Sequence, residues 1–431
     1  MRLGGRIAAA IEVIENMDAR RRPVADALKE WGQTHRFAGS GDRSAIGNIV
    51  YDVLRRRRSI GWRMGADDAR HLIYGAVIDA GRRPGDLRAE LDGDRYAPAI
   101  PEEDALQRFA SAEVEWAPPA VQADVPDWLA APLAASLGEA WIEETRALAD
   151  RPPLDMRVNA LKARVEEVES ALAPFAPVRT ELAPHGLRIA PIEGDGRHPN
   201  VQVEGAFQTG LFEIQDEGSQ IAAALCGARP GESVLDYCAG AGGKTLALAA
   251  AMSGQGALHA HDADRQRLAP IWERLSRAGA ANVTVHAPRE DLSALHGSFD
   301  RVVVDAPCTG AGTWRRRPDA KWRLGERQLA KRQGEQDQVL DAASAFVRPG
   351  GRLFYITCSV LTAENAERVE AFLARHPDFT VRDARGLWAE HFPTAGARYL
   401  AQEIGEGAVL TLTPRLSGTD GFFFAALERA E

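Results

Sequence analysis

Ser233-Val-Leu-Asp-Tyr-Cys-Ala-Gly-Ala-Gly-Gly-Lys-Thr245 is the stretch on which the fold turns. Its short apolar run reads as a strand, and the glycines behind it permit a tight turn in which backbone comes close to a ligand. The same rhythm continues downstream. ALHAHD, NVTVH, DRVVVDAP and GRLFYITC read as further strands, and the segments opening at Gly243, Ala263, Leu324 and Ala363 read as helices. Strand and helix in alternation from Glu232 onward predict an α/β unit, a parallel sheet with helices on both faces. Ligands of such sheets bind outside the carboxyl ends of the strands. Cys238, Asp262, Asp305, Cys308 and Cys358 all fall at those ends, so residues far apart in sequence are expected to meet in one crevice.

The loop itself excludes two common ligand sites. A P-loop needs glycine at position 238, where this chain has Cys238, and a G-x-G-x-x-G dinucleotide fingerprint starting at Gly240 fails at Thr245. Asp262, closing the second strand, is placed to accept the ribose hydroxyls of an adenosine. That acid alone suits either a nicotinamide enzyme or a methyltransferase, and its bland alternative is a helix cap. The segments Asp305-Ala-Pro-Cys308 and Tyr355-Ile-Thr-Cys358 are more telling. One cysteine at a strand end is commonly an inert small hydrophobe; two at one mouth suit covalent catalysis, with Asp305 beside them as a proton or hydrogen-bond partner.

Six ordered segments carry a resemblance: RVNALK at 157–162, GLFEIQDEGSQ at 210–220, the glycine loop, DAPCTGAG at 305–312, TCS at 357–359 and TDGFFFAAL at 419–427. Over them the chain resembles the RNA cytosine-C5 methyltransferases of the RsmB/NOP/NSUN group. The resemblance implies a Rossmann-like class I methyltransferase domain that uses S-adenosylmethionine. It implies that Cys358 attacks carbon 6 of a cytosine, turning carbon 5 into the carbon that takes the methyl group. Cys308 would then help release product, Asp305 would hold the base, and Lys244 would lie near donor and target. The loop residues Cys238, Ala239, Gly240, Ala241, Gly242, Gly243 and Lys244, together with Asp262 and Asp305, are the expected donor-binding set. Two departures stand out. Gly240-Ala241 replaces the family's Ala-Pro, which should loosen the loop entropically. The family's third-strand acid is also missing, since NVTVHAPRED places Ala287 and Pro288 there, leaving Glu290 or Asp291 as substitutes.

The rest of the chain frames this unit. At 431 residues, two or three domains are expected. GDRSAIGNIVYDVLRRRR resembles the start of the NusB-like helical domain of bacterial RsmB-type rRNA enzymes, which implies an all-α domain with its linker over 1–140. A small α+β RRM-like insertion is expected over 141–205, and the methyltransferase unit over 206–431. Three front segments read as helices. The clearest starts after Asp42 as N-cap, with Ile46, Ile49, Val50, Val53 and Leu54 on one face. Arg55 to Arg58 are then expected on its last turns, where phosphate contact and a merely solvated helix end are equally open readings. Residues 92–135, rich in proline, read as an extended connection.

The net charge of −9 does not by itself suggest nucleic acid, but residues 1–65 carry 13 basic against 7 acidic side chains, so the basic excess lies at the front. Four scattered cysteines without a C-x-x-C pair argue against zinc or a disulfide framework. No metal, no membrane contact, a cytoplasmic location and a monomer are expected. RNA is the expected partner, small-subunit rRNA first and tRNA as the alternative. Three rival readings are a DNA cytosine methyltransferase with Cys308 as nucleophile, a non-catalytic RNA-binding scaffold, and a nicotinamide oxidoreductase. The second cysteine and the basic front weigh against the first, and the intact set Asp305, Cys308, Lys244 and Cys358 against the second. A donor titration would separate the third.

Overall fold

The computed structural model describes every residue except 193, 195 and 197. The regular elements at the front of the chain are all helices: α1 (Leu3–Arg20), α2 (Val24–Thr34), α3 (Ser40–Arg55), α4 (Arg57–Met64), α5 (Ala69–Asp79), α6 (Pro84–Leu91), α7 (Glu103–Ser111), α8 (Pro119–Gln122), α9 (Asp127–Leu137) and α10 (Trp141–Ala147). Ile7, Ile14, Val50, Leu54, Ile73 and Tyr74 are fully buried in one apolar cluster, as the helical spacing of such residues dictates. One compact unit comprises Met1–Arg151, Ile192–Arg197 and Trp314–Leu324, and a second holds Pro152–Pro191, His198–Thr313 and Gly325–Glu431.

Several expectations for the front need correction. The proline-rich stretch 92–135 is largely helical from Glu103 on, with three of its prolines at helix starts: Pro118 and Pro126 are N-caps and Pro119 opens α8, positions that need no backbone N–H, while Pro132 lies inside α9 and Pro98 and Pro101 lie in the non-helical chain before α7. The helical unit also runs past residue 140 to Arg151, whose guanidinium pairs with Asp52 of α3 at 2.6 Å. Asp42 is no N-cap. It lies in the first turn of α3 and binds the N-terminal ammonium at 2.9 Å and Arg6 at 2.9 Å.

The four arginines are split by the break between α3 and α4. Arg57 pairs with Asp18 and Arg58 with Asp127, while Arg55 is buried, its Nη1 donating to the carbonyls of Ala149 (3.1 Å) and Asp150 (2.8 Å). Burial pulls the Arg55 pKa down to about 10. Nothing of this kind is visible in the sequence, where four consecutive arginines look like a solvated helix end. Arg55→Gln is therefore expected to destabilise the helical unit by about 2–4 kcal/mol, since buried acceptors lose a charge-assisted partner. The Arg57→Gln, Arg58→Gln pair, removing only partly exposed ion pairs, should cost less than about 1 kcal/mol. Urea unfolding curves decide it: equal midpoints for the two variants would return Arg55 to the surface.

The segment Trp314–Leu324 completes this unit by satisfying the open carbonyls at the end of α3. Lys321 Nζ donates to Arg55 O at 2.9 Å and Trp322 Nε1 to Leu54 O at 2.7 Å, while the Asp319 carboxylate accepts the Val24 N–H at the start of α2. Burial lowers the Lys321 pKa to about 8, an effect that the carboxylate of Asp124 opposes.

In the second unit β1 (Leu154–Val158), β2 (Val178–Arg179), β3 (Gly186–Ile189) and β4 (Phe212–Ile214) form an antiparallel sheet in the order β2-β3-β1-β4. Its last strand, β4, lies past residue 205. Asp155 of β1 accepts the Glu217 N–H and pairs with Arg188, which ties the small sheet to the helix Glu217–Leu225. The large sheet follows with β5 (Ser233–Asp236), β6 (Ala257–Ala260), β7 (Val283–Val285), β8 (Phe299–Asp305), β9 (Val347–Thr357), β10 (Phe379–Arg382), β11 (Leu400–Ile404), β12 (Gly407–Leu412) and β13 (Phe422–Arg429).

Its order is β11-β12-β13-β9-β8-β5-β6-β7, with β10 pairing with the C-terminal part of β13, Ala426 to Arg429, beyond the residues that pair with β12. The five strands read from sequence are parallel, as expected. The sheet as a whole is mixed, because TDGFFFAAL forms β13 and runs antiparallel to β9 with Phe424 opposite Ile356. Chain order reverses between β5 and β8. Sheets of this kind bind their ligands outside the carboxyl ends of the strands at such a reversal.

Candidate functional site

At the end of β5 the chain turns through the glycine loop into the helix Gly243–Ala251. Gly242 has φ +84, and a Cβ there would lie 2.7 Å from Ile271 Cγ1, so only glycine lets the loop pass. The carboxylate of Asp262, nearly buried at the end of β6, accepts the Gly240 N–H at 2.9 Å and the Asp264 N–H at 2.8 Å. The looseness expected from the missing proline is countered by Arg274. Its Nη1 donates to Ala241 O at 2.8 Å, while Nη2 pairs with Glu213 of β4 at 2.9 Å.

Cys238 behaves differently from its neighbours. Its side chain packs among Leu235, Val302 and Val304, and burial pushes its thiol well up, so it is core rather than chemistry. The two acids offered for the missing third-strand acid are both engaged in their own loop. Glu290 accepts the Ala287 N–H and shares a 2.8 Å hydrogen bond with His286, and Asp291 accepts the Ser293 N–H.

The ends of β8 and β9 bring the reactive groups together. Lys244 Nζ meets Asp305 Oδ2 at 2.8 Å, and Cys308 Sγ lies 3.3 Å from Cys358 Sγ. Burial works against the charge on Lys244, but the Asp305 carboxylate outweighs it and holds the ammonium above its ordinary pKa, with Cys358 adding in the same direction. The hydrogen bond to Cys358 and burial push the Cys308 thiol well up, so Cys308 keeps its proton. Asp236, at the base of the crevice, is raised to about 7 by burial, and its Oδ1 has no hydrogen-bond partner among the described residues.

Supports that sequence reasoning missed hold these groups in place. Glu364 accepts the N–H and the hydroxyl of Thr309 and the amide of Gln336, whose Nε2 also reaches Pro307 O at 2.9 Å; both neighbours of Cys308 in the chain are thereby pinned. Gly312 N–H donates to Cys358 O at 2.9 Å, and Gly312 O accepts from Gly421. A Cβ on Gly312 would sit 2.1 Å from Gly421 O, which accounts for glycine in both motifs. A polar chain runs from Arg157 through Gln215 (2.6 Å) and Ser219 (3.1 Å) to Lys244 (3.3 Å). Arg157, Gln215 and Ser219 lay inside quoted motifs without an assigned role. Arg274, Gln336 and Glu364 carried no sequence signal.

Comparison with known proteins follows the same residues. Residues 223–428 match the 16S rRNA methyltransferase RsmB/F family, and residues 125–191 match the ferredoxin-like domain of RsmF/B-like methyltransferases. The probable ribosomal RNA small subunit methyltransferase B of Synechocystis sp. is 31% identical over 315 residues, 72% of this chain and 68% of its own length. The aligned part covers about two thirds of such curated relatives. The crystal structure of PH0851 is 26% identical with a TM-score of 0.72, covering 100% of this chain and 99% of that one. NSun6 from Pyrococcus horikoshii, solved with the S-adenosylmethionine analogue SFG, shares the fold at 20% identity and a TM-score of 0.60, over 71% of this chain and 98% of its own.

Proposed function

Because the chain belongs to the RsmB/F family of 16S rRNA methyltransferases, we propose that it methylates carbon 5 of a cytosine in small-subunit rRNA through a covalent bond from Cys358 to carbon 6. The observation that carries this reading is the pair of thiols 3.3 Å apart at the carboxyl ends of β8 and β9. S-adenosylmethionine is the donor and, when bound, supplies an electrophilic methyl group. The residues present fit it. At Gly240 and Gly243 an added Cβ would meet only side-chain atoms, of Arg267, Asp262 and Gln215, at 3.4 Å or more, so the missing side chains leave a cradle for a ligand. The loop backbone would hold the donor and the Asp262 carboxylate would take its ribose hydroxyls.

The chain's own groups then divide the work. Cys358 as thiolate adds to carbon 6, and the ring's electron pair shifts toward N3 and makes carbon 5 nucleophilic. Lys244 is the proton-bearing partner of the 2.8 Å pair, so it supplies the hydrogen bond to the ring as charge develops, and Asp305 is the acceptor that holds Lys244 and the exocyclic amine. This moves the donor role expected of Asp305 onto Lys244. Cys308, kept protonated, serves the release of Cys358. The helical front and the antiparallel sheet β1–β4 serve as the NusB-like and RRM-like RNA-holding modules of the family, on a monomer.

The test is bisulfite sequencing of total RNA with and without the gene. One 16S cytosine should lose protection when the gene is absent; a lost signal in tRNA instead would favour the alternative substrate, and none at all would remove the reading. Donor binding gives a second check. Asp262→Asn is expected to weaken S-adenosylmethionine binding about tenfold to a hundredfold, the worth of hydrogen bonds to a charged acceptor. Its rate at saturating donor should stay near the parent's, because the ribose is remote from the methyl group. Calorimetry showing parental affinity would leave Asp262 a brace for Gly240 and nothing more.

A further inference from the structure

On the helical unit an open groove of about 770 Å³ runs between the start of α1, the end of α2 and the turn before Tyr96. Its floor is an aromatic ladder. Trp31 and His35 stack with ring centres 4.4 Å apart and planes at 10°, and Phe37 stands edge-on to His35 at 5.8 Å. Phe37 is 72% exposed, and Tyr96 on the other wall is 60% exposed with the Arg95 guanidinium lying 4.6 Å over its ring. A single exposed ring is ordinary, but two rings facing one groove over a stacked pair form a ready aromatic surface.

Basic side chains outnumber acidic ones around it. Arg2 and Arg95 line the groove and Arg36 separates His35 from Phe37; all three are exposed, and no ion pair of theirs occurs among the described residues. The lining also holds two acids, each accepting a protein N–H: Glu12, itself exposed, accepts the Trp31 indole N–H at 2.8 Å and lies 3.9 Å from His35 Nε2, and Asp94 accepts the Tyr96 N–H at 3.1 Å. Unpaired bases stack on aromatic planes and on guanidinium groups, and arginines at the rim neutralise the phosphates between them. Paired bases offer no free face. We propose that this groove binds single-stranded RNA, with bases stacked on Phe37 and Tyr96 and phosphates on Arg2, Arg36 and Arg95. The inference rests on the reading that the chain acts on RNA, and it places the contact in a groove that the arginine run at 55–58 does not supply.

The full-length protein is titrated by fluorescence anisotropy with a labelled single-stranded RNA of about twelve nucleotides, and with the same sequence as a duplex. The Phe37→Ala, Tyr96→Ala double variant should bind the single strand at least about tenfold more weakly, with the salt slope unchanged, because stacking releases no counterions. Phe37→Trp should restore affinity. The Arg2→Gln, Arg36→Gln, Arg95→Gln triple variant should flatten the salt slope by about 2. Parental affinity in the double variant, or an equal loss on the duplex, overturns the proposal. A groove that serves a protein partner gives the first of these results. Methylation at saturating RNA keeps the two readings apart: the double variant should retain the parent's rate there, whereas a parent that methylates no RNA cytosine fails the functional reading while the groove titration still stands.

Discussion

Replacing Cys358 with alanine is expected to reduce methyl transfer to RNA by on the order of 10⁴-fold or more, while S-adenosylmethionine binding stays intact. Carbon 5 of a neutral cytosine is a poor nucleophile toward a methyl sulfonium, and only the bond from sulfur to carbon 6 makes it a good one. No neighbouring group can substitute. Cys308 lies 3.3 Å away, but its hydrogen bond and burial hold it as a thiol, and Lys244 is an ammonium paired to Asp305. The backbone of Cys358 already serves as acceptor for Gly312, so the loop keeps its shape when the sulfur goes. Single-turnover transfer of labelled methyl to 16S rRNA reads the loss, and calorimetry reads the donor affinity. Turnover retained in Cys358→Ala would hand the nucleophile to Cys308 and restore the order of a DNA cytosine methyltransferase.

The pieces of this site that the sequence made legible are those with a backbone rule behind them. A strand, a glycine turn and a helix at Ser233 to Gly243 could be read because φ at Gly242 is +84 and the strand is apolar on both faces. Asp305, Cys308 and Cys358 could be placed together because parallel strands deliver their carboxyl ends to one edge. The braces could not. Glu364 reaches Thr309 across fifty-five positions and Arg274 reaches Ala241 across thirty-three, and no local pattern encodes such a meeting. The arginine run failed for a related reason. A residue whose partners are the carbonyls of Ala149 and Asp150 looks the same in sequence as one facing water. The antiparallel edge β10–β13 was hidden because its strands lie beyond the last strand-helix alternation, where the rule used upstream no longer applies.

Cys308→Ala is expected to stall the enzyme after chemistry rather than before it. Once carbon 5 carries both methyl and hydrogen, product forms only when water takes that proton, the freed C–H pair closes the double bond between carbons 5 and 6, and the pair of the carbon 6–sulfur bond leaves with Cys358. A departing thiolate in a half-buried crevice needs a hydrogen-bond donor, and the Cys308 thiol, which keeps its proton 3.3 Å away, is that donor. Removing it should slow release by on the order of 10²–10³-fold, the usual effect of deleting one donor to a developing anion. Attack and methyl transfer need no such donor at the sulfur, so they proceed and the protein–RNA adduct accumulates. A denaturing gel should show a band shifted by bound RNA for Cys308→Ala and none for the Cys308→Ala, Cys358→Ala double variant. Glu364 and Gln336 hold Thr309 and Pro307 independently of the sulfur, so the loop is expected to survive the substitution. Were Cys358→Ala to give the shifted band and Cys308→Ala none, the two thiols would have exchanged roles.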